Sequence, residues 1–347
     1  MRDFLPTDRP LLLLAPMQDI TDLPFMRVME AFGGGPDAYV TEYFRVHSDS
    51  NLNKDILRSI DENPTGKPIL AQMIGQSIPD LVRTAKELED HHPVAGIDLN
   101  LGCPAPVVCK KEAGGGLLRK LDHLDAILGH LRDAISGRFT VKTRLGYHSP
   151  QEFEALLAIF AKHAINALSI HGRTVEERYR TPIHPEWIRA AVDQLDCPVF
   201  ANGNVVSVET GRALLERTRA AGLMLGRGAI RNPWLFAQLR ATWMGTPMPE
   251  PTLKDLYHYI EALFKETKSP KGFEERKHVQ KMKKYMGFIA QGVDNEGAFE
   301  HAIRRVTTAD EFWHFCKAYL LNRPQEIASD PPQDSRVFCG YEDLLNR

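Results

Sequence analysis

Eight short apolar runs recur along the 347-residue chain, at 11–15, 38–41, 69–73, 96–100, 140–144, 167–171, 199–202 and 222–225. Runs of that length and character match buried strands, and the stretches between them, such as 81–90, 117–136, 150–163 and 208–216, carry apolar residues at helical spacing. Strand and helix in alternation build a parallel sheet, because each helical crossover returns the chain to the same end. An open, doubly wound sheet of this kind normally carries a glycine fingerprint in the turn after its first strand. Here that turn reads Pro16-Met17-Gln18-Asp19, with no GxGxxG. Polar or special residues instead close many different runs: Met17, Glu42, Gln72, Asn100, Lys142, His171, Asn202 and Gly226-Arg227. Sites assembled from the C-terminal ends of many strands are built at the mouth of a barrel. The expected fold is therefore α/β, a (β/α)8 TIM barrel followed by a small C-terminal helical domain.

The boundary between the two follows from composition. Residues 244–251 hold three prolines in eight positions and read as a linker. We place the barrel at 1–243, the linker at 244–252, a helical domain at 253–325, where Leu, Phe, Tyr and Trp recur at helical spacing, and an extended tail at 326–347. Apolar residues at 43% and charged residues at 25% exclude a disordered or fibrous chain. The 43 Lys+Arg against 45 Asp+Glu leave a net charge of −2, so any polyanion site must be a local patch. Such a patch exists at 268–284: Lys268, Lys271, Arg276, Lys277, Lys281, Lys283 and Lys284 meet only Glu274 and Glu275, a local excess of +5. The apolar run from Leu11 to Pro16 falls far below the roughly 20 residues that span a bilayer, so no membrane association and a cytoplasmic, monomeric protein are expected. Five cysteines without CxxC or histidine-rich spacing give neither a disulfide framework nor a metal site.

The densest chemical signal follows the fourth run, in Asn100-Leu-Gly-Cys-Pro104 and the loop to Gly114-Gly-Gly116. Cys103, between Gly102 and Pro104 at a strand end, is placed to face the mouth. Cys109 has no comparable setting and reads as a small buried hydrophobe. The triple glycine allows backbone to approach a ligand closely. Lys142 ends a buried strand, an uncomfortable position unless it meets an anion or a cofactor carbonyl. His171 ends the next strand and gains weight as a donor beside it. Asn202-Gly-Asn204 and Gly226-Arg227 follow the seventh and eighth strands, where barrels recurrently bind phosphate, and Arg227 can pair bidentately with one.

Taken together, Leu14-Ala-Pro-Met17, Asn100-Leu-Gly-Cys-Pro104, Val141-Lys142, His171-Gly-Arg-Thr174, Asn202-Gly203 and Gly226-Arg227 resemble the tRNA-dihydrouridine synthases, in order and at barrel-consistent spacing. Thr41-Glu-Tyr-Phe-Arg-Val46 is most similar to the bacterial branch that modifies position 16 of tRNA. Cys109 is a departure, since relatives more often carry a polar residue there. The resemblance implies FMN in the barrel mouth, NADPH as reductant and a folded tRNA as partner. The reaction implied is reduction of the uracil C5=C6 bond, with hydride to C6 and a proton to C5. Cys103 is the implied acid, since an ordinary thiol, with a pKa of about 8.5, is protonated at neutral pH. The resemblance also implies that Ala15, Pro16 and Met17 pack the flavin ring, Gln72 and Lys142 meet its polar edge, and His171 lies near flavin and uracil. Asn202, Gly203, Asn204, Gly226 and Arg227 would hold the phosphate tail. Asn100 would contact the substrate base, and Lys277, Lys281 and Lys284 the tRNA backbone. A flavin barrel acting on a free pyrimidine or another small conjugated carbonyl is the competing reading, and an RNA-binding barrel without chemistry a third.

Overall fold

A computed structural model describes residues 8–268, 274–294 and 296–346. Lys271 of the basic stretch lies outside them. The strands are β1 (Leu11–Leu14), β2 (Tyr39–Val40), β3 (Phe44–Arg45), β4 (Ile69–Ile74), β5 (Gly96–Leu101), β6 (Phe139–Arg144), β7 (Ala167–His171), β8 (Val199–Asn202) and β9 (Gly222–Leu225). All pair in parallel in the order β1-β9-β8-β7-β6-β5-β4-β2, and β3 also pairs with β4. A parallel bridge between Leu13 and Ala38 joins β2 to β1 and closes the sheet into a barrel. The eight apolar runs are thus its eight strands. The second is broken into β2 and β3, a split that no feature of 38–41 announces. Every residue of β1, β4 and β5 is buried, which is why these strands read as continuous apolar runs rather than as alternating patterns.

The glycine loop departs from expectation. The helix read at 117–136 is a tight 3-10 turn, Gly114–Arg119, followed by a helix, Leu121–Ala134. Its glycines admit the chain's own backbone rather than a ligand. A Cβ on Gly115 would lie 2.6 Å from Val175 Cγ2 and 2.9 Å from the Cys103 carbonyl, and one on Gly116 would lie 2.7 Å from the Cys109 carbonyl. Cys109 is buried, as read from the sequence.

After the proline-rich stretch, Thr252 starts the Leu253–Glu266 helix with a capping box, its hydroxyl accepting from Asp255 N–H while the Asp255 carboxylate accepts from Thr252 N–H at 2.8 Å. The helices beyond lean on the barrel mouth. Tyr285, from the Glu275–Ile289 helix, stacks on Phe25 at 5.8 Å, and its hydroxyl donates to the Ile20 carbonyl at 3.0 Å. The segment read as an extended tail folds back over the barrel, burying Phe338, Tyr341 and Leu344. Among the described residues no helix is long and apolar enough to cross a membrane, and no cluster of three or more His, Cys, Asp or Glu is placed to hold a metal.

Candidate active site

Polar residues inside the barrel stand in register. Gln72 pairs with Asp98 across β4 and β5, and Asp98 with Thr140 and Asn100 with Lys142 across β5 and β6. Side chains two apart on a strand share a face, so these groups form adjacent interior layers. In the deeper layer, Asp98 accepts from the Thr140 hydroxyl at 2.6 Å and from the Gln72 amide at 2.7 Å. Burial pushes the Asp98 carboxyl above its ordinary range, and the two donors oppose that shift. The Gln72 oxygen accepts from Asn100 at 2.8 Å, and the Asn100 oxygen accepts the backbone N–H groups of Gly102 and Cys103. A chain of hydrogen bonds therefore runs from the barrel interior to the thiol's own backbone. Gln72 lies beneath the mouth, with both ends of its amide engaged, rather than on the wall of the cavity above.

That cavity, of about 330 Å³, opens at the C-terminal ends of the strands. Ala15, Pro16, Met17, Asn100, Cys103, Lys142, His171, Asn202, Gly203, Asn204, Gly226 and Arg227 all line it, with Gly226 against Ala15 and Met17 because β9 pairs with β1. Cys103 is a free, half-buried thiol. The sequence reading brought these residues to one place and missed others. Arg144 follows Lys142 by two positions on the same face of β6, and it donates to the carbonyls of Gly102, Thr174 and Arg178 at 2.8–2.9 Å. Its strand parity was a usable signal. Tyr179 stands 39% exposed over the opening, 4.2 Å from the Arg227 guanidinium and 5.7 Å from the His171 ring. Phe338 lines the cavity from the far end of the chain, where no local pattern could have placed it.

The electrostatics are one-sided. Lys142, Arg144 and Arg227 line the cavity, with Arg173 buried behind Asn204, and among the described residues their hydrogen bonds run to carbonyl, amide and phenol oxygens rather than carboxylates. Burial and mutual repulsion lower their pKa values, Lys142 to about 8, Arg173 to about 9 and Arg227 to about 10. His171 is held well below the usual imidazole range by burial and by the same cations, so it is neutral at pH 7. Its Nδ1 is buried without a hydrogen-bond partner, as is Arg173 Nη1. Cations whose hydrogen bonds go to neutral oxygens, beside the orphaned His171 nitrogen, are suited to a polar anion.

The expected tRNA-contacting lysines line a neighbouring cavity of about 780 Å³, between the Glu275–Ile289 helix and the barrel rim. Their charge is less free than the count within 268–284 implied. Lys281 meets Asp22 at 2.5 Å, Lys284 meets Asp19 at 3.1 Å and Lys277 meets Glu274 at 2.8 Å. Gln18 lines both cavities and joins them.

The chain is similar to known proteins over most of its length. The family described as Dihydrouridine synthase (Dus) matches residues 13–324. The chain is 30% identical over 322 residues to the tRNA-dihydrouridine(16) synthase of Neisseria meningitidis, covering 90% of this chain and 96% of that protein. It is 35% identical over 252 residues to a probable tRNA-dihydrouridine synthase of Helicobacter pylori, covering 71% and 74%. It is 30% identical over 312 residues to tRNA-dihydrouridine synthase B of Pasteurella multocida, covering 86% and 90%. Among solved structures, the old yellow enzyme homologue of Zymomonas mobilis is 14% identical and covers 76% of this chain and 93% of that one, with a TM-score of 0.48. With the match running through the barrel and into the helices that lean on its mouth, the chain belongs to the dihydrouridine synthase family of oxidoreductases.

Proposed function

We propose that this protein reduces the C5=C6 bond of uridine 16 in the D-loop of tRNA, with FMN bound in the 330 Å³ cavity. The observation that carries the reading is the placement of a free thiol, Cys103, on one cavity with a cationic wall and a neutral, unpartnered His171 Nδ1. The residues present fit an anionic flavin. Arg227 offers charge to a phosphate, with Arg173 buried behind Asn204, Lys142 offers charge to the polar edge of the ring, and Pro16 and Met17 offer an apolar surface. FMN bound there supplies the hydride for uracil C6, with NADPH as the source of reducing equivalents.

The chain's own groups do the rest. Cys103 Sγ–H gives its proton to C5, so the C5=C6 π bond is replaced by two C–H bonds, and the thiolate regains a proton from solvent. Asn100 orients the loop that carries the thiol, and Arg144, on the same cavity, opposes the negative charge that develops on the conjugated uracil carbonyl. A uridine inside folded tRNA must first be extruded, at a cost of a few kcal/mol, which contacts to the tRNA backbone near Lys277, Lys281 and Lys284 offset. Position 16 is supported by the name of the Neisseria relative, which aligns over nearly its whole length, and by the Thr41–Val46 resemblance.

The deciding experiment incubates the protein with NADPH and tRNA lacking dihydrouridine and locates, by fragment mass spectrometry, the uridine that gains two hydrogens. We expect the gain at position 16, and its loss in Cys103→Ala. Gain at another D-loop uridine would overturn the position alone. Turnover of free uracil with none on tRNA would instead establish the small-molecule reading.

A further inference from the structure

The segment that follows the family match at residue 324 closes one end of the cavity. Phe338 is buried and forms part of the wall. On either side of it, three backbone carbonyls accept from side chains that sit at the ends of β7, β8 and β9. Val337 O accepts from Arg227 Nη1. Cys339 O accepts from Arg173 Nη2 at 2.9 Å and from Asn204 Nδ2 at 3.2 Å, and Gly340 O accepts from the same Asn204 amide at 2.7 Å. The Arg227 guanidinium lies between the rings of Tyr179, at 4.2 Å, and Phe338, at 5.8 Å. The segment is itself pinned. Ser335 Oγ donates to Gln291 at 2.8 Å, the Cys339 thiol donates to the Arg180 carbonyl at 3.2 Å and the Tyr341 hydroxyl donates to the Pro331 carbonyl at 2.7 Å.

The choice of acceptors matters. Two arginines that repel one another need partners to stay together, and a carboxylate would supply them while cancelling their charge. Carbonyls satisfy the geometry and leave the charge intact for an anion. Arg227 and Asn204 line the cavity, and Arg173, fully buried behind them, donates to the Asn204 oxygen at 2.9 Å and keeps its Nη1 unpartnered after all these bonds are made.

We propose that residues 337–340 form the phosphate end of the flavin site, holding Arg227, Arg173 and Asn204 in position through uncharged carbonyls. The proposal rests on the flavin reading above. It assigns a binding role to a segment beyond the residues the family accounts for. Gly340 is the hinge point of that placement. Its φ is +69°, and a Cβ there would lie 2.9 Å from Pro182 Cα, so only glycine lets the carbonyls of 339 and 340 face Asn204.

The test is a flavin-fluorescence titration of the full-length apoprotein with FMN and with riboflavin, which lacks only the phosphate, for the wild type, Phe338→Ala and Gly340→Val. The wild type is expected to prefer FMN. In both variants the FMN Kd is expected to rise at least about tenfold, with the riboflavin Kd changed far less, so that the preference narrows. A thermal melt identifies any variant that is unfolded, and Phe338→Ala decides if Gly340→Val is. A wild type that binds FMN, with variants that keep the same FMN-to-riboflavin preference, overturns this proposal alone. A wild type that binds neither flavin overturns the flavin reading and this proposal with it.

Discussion

Asn100 accepts the backbone N–H of Cys103 through its side-chain oxygen at 2.9 Å, while its amide nitrogen donates to Gln72 at 2.8 Å. The thiol's backbone is therefore held from inside the barrel as well as by the loop, where Gly115 N–H donates to the Cys103 carbonyl at 3.1 Å. Removing the acceptor in Asn100→Ala frees two N–H groups and lets the loop shift. A displacement of about 1 Å at a reacting group costs on the order of 100-fold in rate. We expect single-turnover reduction of tRNA to slow by that order in Asn100→Ala, with FMN affinity nearly unchanged. Asn100→Asp keeps the acceptor but faces the Gln72 oxygen with a carboxylate, and should fall between. Wild-type rates in Asn100→Ala would show that the loop holds Cys103 without help.

Lys142 carries a pH dependence that can be read in binding. Burial, with Arg144 nearby, lowers its pKa to about 8. Below that value the ammonium is charged and attracts an anionic cofactor; above it the attraction is lost. FMN affinity should accordingly weaken as pH rises from 7 to 9, and Lys142→Met should bind more weakly at pH 7 with a flatter profile across that range. A fluorescence titration at several pH values measures both. An equally steep decline in the variant would assign the titration to another group.

Glu42 supplies a stability test at the barrel rim. Its carboxylate accepts from Ile20 N–H at 3.0 Å, but burial and the nearby Asp22 raise its pKa to about 7. A carboxyl whose pKa is raised by folding is protonated more readily in the folded state. Its contribution is intact below the unfolded value near 4.5 and is lost as pH rises through about 7. Glu42→Gln retains an acceptor for Ile20 and never ionises. Relative to the wild type, it should gain stability between about pH 4.5 and pH 8, by an upper bound of about 3 kcal/mol. Urea denaturation at pH 5 and pH 8 tests this, and a difference that stays constant between the two would remove Glu42 as the titrating group.

The barrel was legible because parallel strands covered on both faces are continuously apolar, as in β4 and β5. Cavity residues were legible where they end strands, as Lys142, His171 and Asn202 do. Two kinds of feature were not. Gln72 ends a strand run as well, yet its register with Asp98 draws it under the cavity, and register between strands is not written in either strand. Phe338 reaches the cavity only because the chain returns after the helical region, an approach with no local signature. The same limit applied to charge. Counting 268–284 alone gives a cationic patch, whereas Asp19 and Asp22, more than 250 residues earlier, sit against Lys284 and Lys281.

Those two ion pairs make opposite changes informative. A tRNA phosphate that docks on Lys281 or Lys284 must displace Asp22 or Asp19, so the carboxylates compete with the substrate for the same ammonium groups. Lys281→Glu with Lys284→Glu should weaken tRNA binding and reduce the slope of log affinity against log salt by about one for each phosphate that is no longer neutralised. Asp19→Asn with Asp22→Asn should do the reverse and tighten binding at a fixed salt concentration, because the lysines are then free. Asp22→Asn keeps a side-chain oxygen for Phe25 N–H, which Asp22 caps at 3.2 Å, so the Leu23–Gly33 helix retains its start. Filter binding of tRNA across a salt series, with flavin absorbance as a check on the cavity, distinguishes the cases. If both pairs of substitutions weaken binding alike, the lysines serve to fasten the helices to the barrel, and the tRNA backbone is held elsewhere.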